Sequence, residues 1–226
     1  GLRQPGSALK PITYAQAFRE GYTPASIIMD VETKFPGGTG EKDYAPKNYD
    51  LKWRGPVQLR YALANSINMS AVKTGARIGV EDMLGLSYDM GLTTLEPTKE
   101  NMARFGLSVT LGGGEVRLME LTQAYGVFAT SGIKQDPVAI LKVADQKGKT
   151  MYEYKKSPGK RVLAEEISFL ITSILSDNAS RREVFGERSL LVVPGKTAFV
   201  KTGTTDDKRD NWTVGGTKKR VVGVWV

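Results

Sequence analysis

The 226-residue chain contains no histidine and no cysteine. Without histidine there is no Ser-His-Asp triad. Without cysteine there is no thiol nucleophile and no disulfide, and the usual Cys or His zinc sites fall with them. Apolar runs approaching the roughly 20 residues of a membrane-crossing helix are missing too, and the opening residues lack the pattern of a signal peptide. Hydroxyl, amine and carboxylate groups remain for nucleophilic chemistry, on a chain long enough to bury a sizeable core as one domain or a domain with a small appendage.

The formal charge of +8 is spread unevenly, with ten Lys or Arg against five Asp or Glu in residues 181 to 226. A cationic groove for an acidic partner fits this balance. Nucleic acid does not, because the basic residues are scattered and no aromatic residues are interleaved with them for base stacking.

Within Arg3-Gln4-Pro5-Gly6-Ser7-Ala8-Leu9-Lys10-Pro11, a serine and a lysine stand three residues apart at the expected start of a helix. Proline is tolerated only in a first helical turn, so the helix implied by Ile12, Ala15 and Phe18 begins near Ser7, with Ser7 and Lys10 on one face. A hydroxyl there lies beside free N–H donors at the positive end of the helix dipole, which favours developing negative charge. Lys10 could act as its base only when neutral. Lowering its pKa from about 10.4 to between 7 and 8 takes about 3 to 4 kcal/mol, which burial or a second cation can supply. The same residues also suit a plainer role, Ser7 capping a helix and Lys10 in solvent.

Residues 21 to 55 read as an irregular loop with turn-like clusters at Phe35-Pro36-Gly37-Gly38 and Tyr44-Ala45-Pro46-Lys47-Asn48-Tyr49-Asp50. Pro56 then predicts a helix N1 position, and helical spacing runs from about 57 to Ala76, broken once near Asn65-Ser66-Ile67-Asn68. That break is either a solvated kink or a place where Ser66 relays a proton and the Asn68 amide holds a peptide. Further helices are expected near 80 to 90, 117 to 131 with Gly132 at C′, and 164 to 176. Val138 to Val143 and Met151 to Tyr154 read as a hairpin. Ala198 to Thr202, Trp212 to Gly215 and Val221 to Val226 read as consecutive antiparallel strands, the last along an open edge. Helices followed by strands predict an α+β fold.

A third motif, Lys201-Thr202-Gly203-Thr204-Thr205, lies on the first of those strands, where glycine admits a ligand close to the backbone and lysine and threonine can grip a carboxylate. Gly195-Lys196-Thr197 mimics the end of a phosphate-binding loop, but Leu190 stands where that pattern needs glycine.

Ser-x-x-Lys, Ser-x-Asn and Lys-Thr-Gly in this order resemble the transpeptidase domain of penicillin-binding proteins. Arg3 to Pro11, Tyr44 to Asp50, Leu59 to Val72, Leu118 to Phe128, Lys201 to Thr205 and Asn211 to Gly215 extend the resemblance to the bifunctional high-molecular-weight class. It implies a fold of the serine β-lactamase/transpeptidase type, a helical subdomain plus an antiparallel sheet packed by helices. Residues 1 to 226 would form one partial domain, truncated at both ends, without the family's early strands, its C-terminal helix, its membrane anchor and its glycosyltransferase domain. The implied activity is acyl transfer on peptidoglycan stem peptides ending in D-Ala-D-Ala, at the extracytoplasmic face of a bacterial membrane, with no cofactor or metal and with β-lactams as covalent inhibitors.

Carried over by motif, Ser7 is acylated, Lys10 takes its proton, Ser66 passes a proton to the leaving amine and Asn68 holds the peptide amide. Lys201 supplies positive potential, Thr202 and Thr204 bind the substrate carboxylate beside Gly203, and the backbone N–H groups of Ser7 and Thr204 form an oxyanion hole. A D,D-carboxypeptidase remains an alternative, as does a β-lactamase-related hydrolase, although no Glu-x-x-Leu-Asn segment that positions a deacylating water is present. A non-catalytic β-lactam or muropeptide sensor is the alternative of another class. Because neither thiol nor histidine is available, formation of a penicillin adduct should be unchanged by EDTA or iodoacetamide. Intact mass measured with and without each reagent checks this.

Overall fold

In the computed structural model, which describes residues 1–36, 43–205 and 209–226, the backbone from Lys10 to Phe18 is buried on every side. It forms helix α1 (Lys10–Arg19), entered through one turn of 3₁₀ helix, Gly6–Leu9. Pro11 sits in the first turn of α1, where its missing N–H costs no hydrogen bond. A helix buried all round needs neighbours all round. The chain provides α2 (Leu59–Ala64), α3 (Asn68–Ile78), α4 (Val80–Asp89), α5 (Lys99–Phe105), α6 (Leu118–Ala129), α7 (Glu165–Ser176) and α8 (Arg182–Phe185). Of these, α2, α3, α4 and α7 pack directly on α1.

Four small antiparallel pairs frame the helices. β1 (Leu2–Arg3) pairs with β4 (Val116–Arg117), β2 (Ile27–Asp30) with β3 (Gly55–Gln58), β5 (Ile133–Lys134) with β8 (Lys160–Arg161), and β6 (Lys142–Ala144) with β7 (Thr150–Glu153). The principal sheet comprises β9 (Phe199–Thr204), β10 (Asn211–Gly216) and β11 (Val221–Trp225) in the order β11-β10-β9, all antiparallel. Helix α6 covers β10 and β11, while α7 packs on β9. This is the expected α+β arrangement, and β11 is an outer strand with Val222 and Val224 exposed.

The Gly6–Leu9 turn is wedged between β9 and the loop at Gly112. A Cβ on Gly6 would lie 2.6 Å from Thr204 O, one on Gly203 would collide with Pro5 O, and one on Gly112 would collide with the Gly6 backbone. Gly6 and Gly112 also have positive φ, 54° and 82°. Two buried donors tie the turn down further: Tyr125 OH donates to Ala8 O at 2.7 Å, and Trp212 Nε1 donates to Gln4 O at 2.8 Å.

Several sequence expectations need correction. Pro56 does not open a helix. It lies in β3 opposite Met29, and Gln58 is still extended, so α2 begins at Leu59. The fixed φ of proline suits a short edge strand as well as a helix N1. The supposed loop of residues 21 to 55 contains β2, whose four alternating residues are too few to register as a period; Gly37 and Gly38 lie outside the described residues. At the end of α6, Ser131 rather than Gly132 takes C′, with φ 56°, and Gly132 N donates to Val127 O at 2.8 Å. The hairpin is shorter than expected, β6 starting at Lys142, and every residue of β6 and β7 is exposed, so little burial holds a longer ladder.

Substitution should separate the glycines that admit a neighbour from those that do not. Gly203→Ala forces a methyl into the Pro5 carbonyl and should destabilise the fold by about 1–3 kcal/mol. Gly85→Ala, inside α4 with nothing within 4 Å of its Cβ, should stabilise by about 0.5–1 kcal/mol. Urea titration of both variants measures the two signs.

Candidate active site

The 3₁₀ geometry of Gly6–Leu9 decides how Ser7 and Lys10 meet. In a 3₁₀ turn residues i and i+3 eclipse, and Lys10 N donates to Ser7 O to close it. Ser7 is half-buried and its hydroxyl has no hydrogen-bond partner among the described residues. Lys10 is wholly buried.

Ser66 and Asn68 reach Lys10 from the junction of α2 and α3. The break expected there is sharp: Ser66 has φ 59°, uncommon for a residue with a side chain and often found at functional sites. Asn65 holds the turn by donating to Ser180 O at 2.7 Å and accepting the Val184 N–H at 3.2 Å. Thus presented, Ser66 O and Asn68 Oδ1 accept from Lys10 Nζ at 2.6 and 2.7 Å, and Ser66 Oγ lies 3.3 Å from the same nitrogen. A neutral amine has two hydrogens and one lone pair. The two short contacts use both hydrogens, which leaves the lone pair free to accept a proton.

Lys201 reaches Ser66 from β9. Its Nζ donates to Ser66 Oγ at 2.8 Å and to Thr202 O at 2.8 Å, and the residue is 2% exposed. Burial, and then the neighbouring Lys201 charge, holds the Lys10 pKa well below the usual lysine value; burial lowers Lys201 to about 7. These are the two causes, desolvation and a second cation, that a lysine base requires. Lys196, the decoy, is exposed.

Strand β9 is the edge of the principal sheet nearest the Ser7 turn. Thr205 N donates to Asp210 O at 3.1 Å, which makes Thr204 and Asn211 a non-hydrogen-bonded pair in the antiparallel register. The Thr204 N–H therefore points away from β10, toward the free edge. It is close to Gly6, whose Cβ direction ends 3.0 Å from Thr204 N. Thr202 and Thr204 share one face of the strand by alternation, opposite Lys201 and Gly203. The structure thus gathers Ser7, Lys10, Ser66, Asn68, Lys201 and the Gly203–Thr204 backbone in one place. A free hydroxyl, a desolvated amine, a bridging hydroxyl and unpaired N–H donors together suit acyl transfer.

Sequence reasoning missed Tyr125 and Trp212, which anchor the Ser7 turn, and Asp30, which bonds to Asn48 behind Asn68 at 2.8 and 3.0 Å. A buried Tyr or Trp needs a partner for its polar atom, but the sequence does not say which.

Residues 2–225 match the family model described as penicillin binding protein transpeptidase domain. Penicillin-binding protein 1A of Aquifex aeolicus is 37% identical over 232 residues, covering 100% of this chain and 29% of that protein. Among solved structures, penicillin-binding protein 1A from Haemophilus influenzae superposes with a TM-score of 0.80 at 25% identity, over 95% of this chain and 36% of that one. PonA1 of Mycobacterium tuberculosis, solved in complex with penicillin V, shares the fold with a TM-score of 0.82 at 19% identity, over 100% of this chain and 60% of that one. The chain thus spans less than a third of the length of its Aquifex relative. With the three motifs brought to one site and the family's fold around them, the chain belongs to the penicillin-binding protein transpeptidase domain family.

Proposed function

We propose that this domain is a serine D,D-transpeptidase that crosslinks peptidoglycan stem peptides, and that Ser7 is its nucleophile. The observation that carries it is the buried Lys10 amine, held by Ser66 O and Asn68 Oδ1 and sharing Ser66 Oγ with Lys201. Ser7 Oγ attacks the carbonyl of the D-Ala-D-Ala bond while Lys10 takes its proton. The tetrahedral oxyanion lies between the N–H groups of Ser7 and Thr204, where losing one donor costs about 3 kcal/mol. The proton passes from Lys10 through Ser66 Oγ to the departing nitrogen, and D-Ala leaves. An amine of a second stem peptide then attacks the ester, and the proton path runs in reverse. Asn68 holds the peptide amide, while Thr202 and Thr204, beside Lys201, bind the terminal carboxylate. The substrate places the site outside the cytoplasm, on the cell-wall side of the membrane, with anchoring left to other parts of the parent protein. Among the described residues, no helix is long and apolar enough to cross a membrane.

β-Lactams follow the same first step, but the ring nitrogen stays tethered. Among the described residues no carboxylate hydrogen-bonds to Ser7, Lys10, Ser66 or Lys201, so no carboxylate base is placed to activate water and the ester should persist. Incubation with a penicillin should add one β-lactam mass, located by peptide mapping on Ser7 and absent from Ser7→Ala. An adduct on another serine would overturn the assignment.

Lys10→Ala should acylate more slowly by roughly a hundredfold to ten-thousandfold, the span attributed to general bases; equal rates would remove Lys10 from that role. In the parent, the second-order acylation rate should rise with pH as Lys10 loses its proton. Loss of the charge on free Lys201, which attracts the carboxylate, should lower the rate through about 7. At saturating β-lactam the bound anion favours protonated Lys201, so the falling limb should move to higher pH. Stopped-flow acylation across pH reads both limbs.

A further inference from the structure

Asn48, between β2 and β3, is 3% exposed and uses every hydrogen-bonding position of its amide. Its Oδ1 accepts the N–H groups of Asn68 and Met69, both at 3.0 Å, which are free donors at the start of α3. Its Nδ2 donates to both oxygens of Asp30, at 2.8 and 3.0 Å, and to Lys52 O at 2.8 Å. Asp30 is wholly buried and also accepts the Arg54 N–H at 3.1 Å, with the Arg54 guanidinium 3.8 Å away. An ionised carboxylate only accepts, so Asp30 fixes which way round the amide sits, nitrogen toward itself and oxygen toward α3. Asn68 extends the order. Its Nδ2 donates to Lys47 O at 2.9 Å, one residue from Asn48, which leaves its Oδ1 for Lys10 Nζ.

We infer that Asn48, oriented by the buried carboxylate of Asp30, is a positioning residue for acyl transfer that fixes the start of α3 and so sets Ser66 and Asn68 on the Lys10 amine. The inference rests on the acyl-transfer function proposed above. Neither residue touches the reacting atoms. Without the cap, the first turn of α3 loses two N–H partners and is free to shift, and with it move the acceptors, Ser66 O and Asn68 Oδ1, that hold the Lys10 amine. A displacement of about 1 Å can cost about a hundredfold in rate.

The test measures acylation by a penicillin in two ways, as the first-order rate constant at saturating β-lactam and as moles of adduct per mole of chain. The unsubstituted chain should carry one adduct. Asn48→Ala should reach the same stoichiometry with a rate constant lower by about tenfold to a hundredfold. Asp30→Asn keeps the volume but removes the charge that orients the amide, and should fall by roughly threefold to tenfold. A merely structural role would lower the stoichiometry, as part of the chain unfolds, and leave the rate constant of the reactive fraction unchanged; that result in either variant overturns the inference. If Asn48→Ala does not fold, Asp30→Asn decides alone. No adduct on the unsubstituted chain is a separate outcome, which removes the acyl-transfer function and this inference with it.

Discussion

Desolvation of an amine is the effect on which the site depends. Lys10 lies at the first residue of a helix buried through Phe18, and no described carboxylate reaches it to restore the charged form. Histidine would titrate near neutrality in water without such help; a lysine does so only when protein surrounds it. That requirement explains why α1 is covered on all sides although it contains Thr13 and Gln16 as well as Lys10. Lys201 adds the second contribution, and Ser66 Oγ stands between the two amines, 3.3 Å from Lys10 Nζ and 2.8 Å from Lys201 Nζ.

The motif residues were legible in the sequence because their chemistry needs fixed side chains at short spacing. Ser7 and Lys10 belong to one turn, Ser66 and Asn68 to one helix junction, and Lys201 to Thr204 to one strand. Their meeting was not legible from local pattern. Lys201 reaches Ser66 across 135 positions, and only the family resemblance connected them beforehand. The long helices and the three last strands were readable from period, since α4, α6 and α7 are amphipathic over ten or more residues. Elements of two to four residues, such as β1, β2 and β4, were not: a strand that short has no measurable alternation and exists through its partner. Pro56 shows the related ambiguity of a residue whose fixed φ serves two kinds of element.

Asn48 marks where legibility stopped within the site. The Tyr44 to Asp50 segment reads as a cluster of turn residues and carries part of the family resemblance, yet its place behind Asn68 depends on β2 and β3 bringing Asp30 beneath it. Polar side chains that hydrogen-bond backbone donors are common in turns. What distinguishes this one is the buried carboxylate at its back, a contact spanning 18 residues and invisible to any local pattern.

The two buried lysines bear on the whole fold as well as on the site. An unfolded chain holds a proton on each up to about 10.4, whereas folded Lys201 releases its proton near 7. Below about 7 both states of Lys201 are protonated, and the penalty of burying that charge is fully present. Between about 7 and about 10.4 the unfolded state binds the extra proton, so this contribution makes folding more favourable as pH rises. Lys10, also held well below the usual lysine value, acts in the same direction. The two amines assigned to acyl transfer thus cost folding free energy below neutrality, and that cost is relieved on the alkaline side.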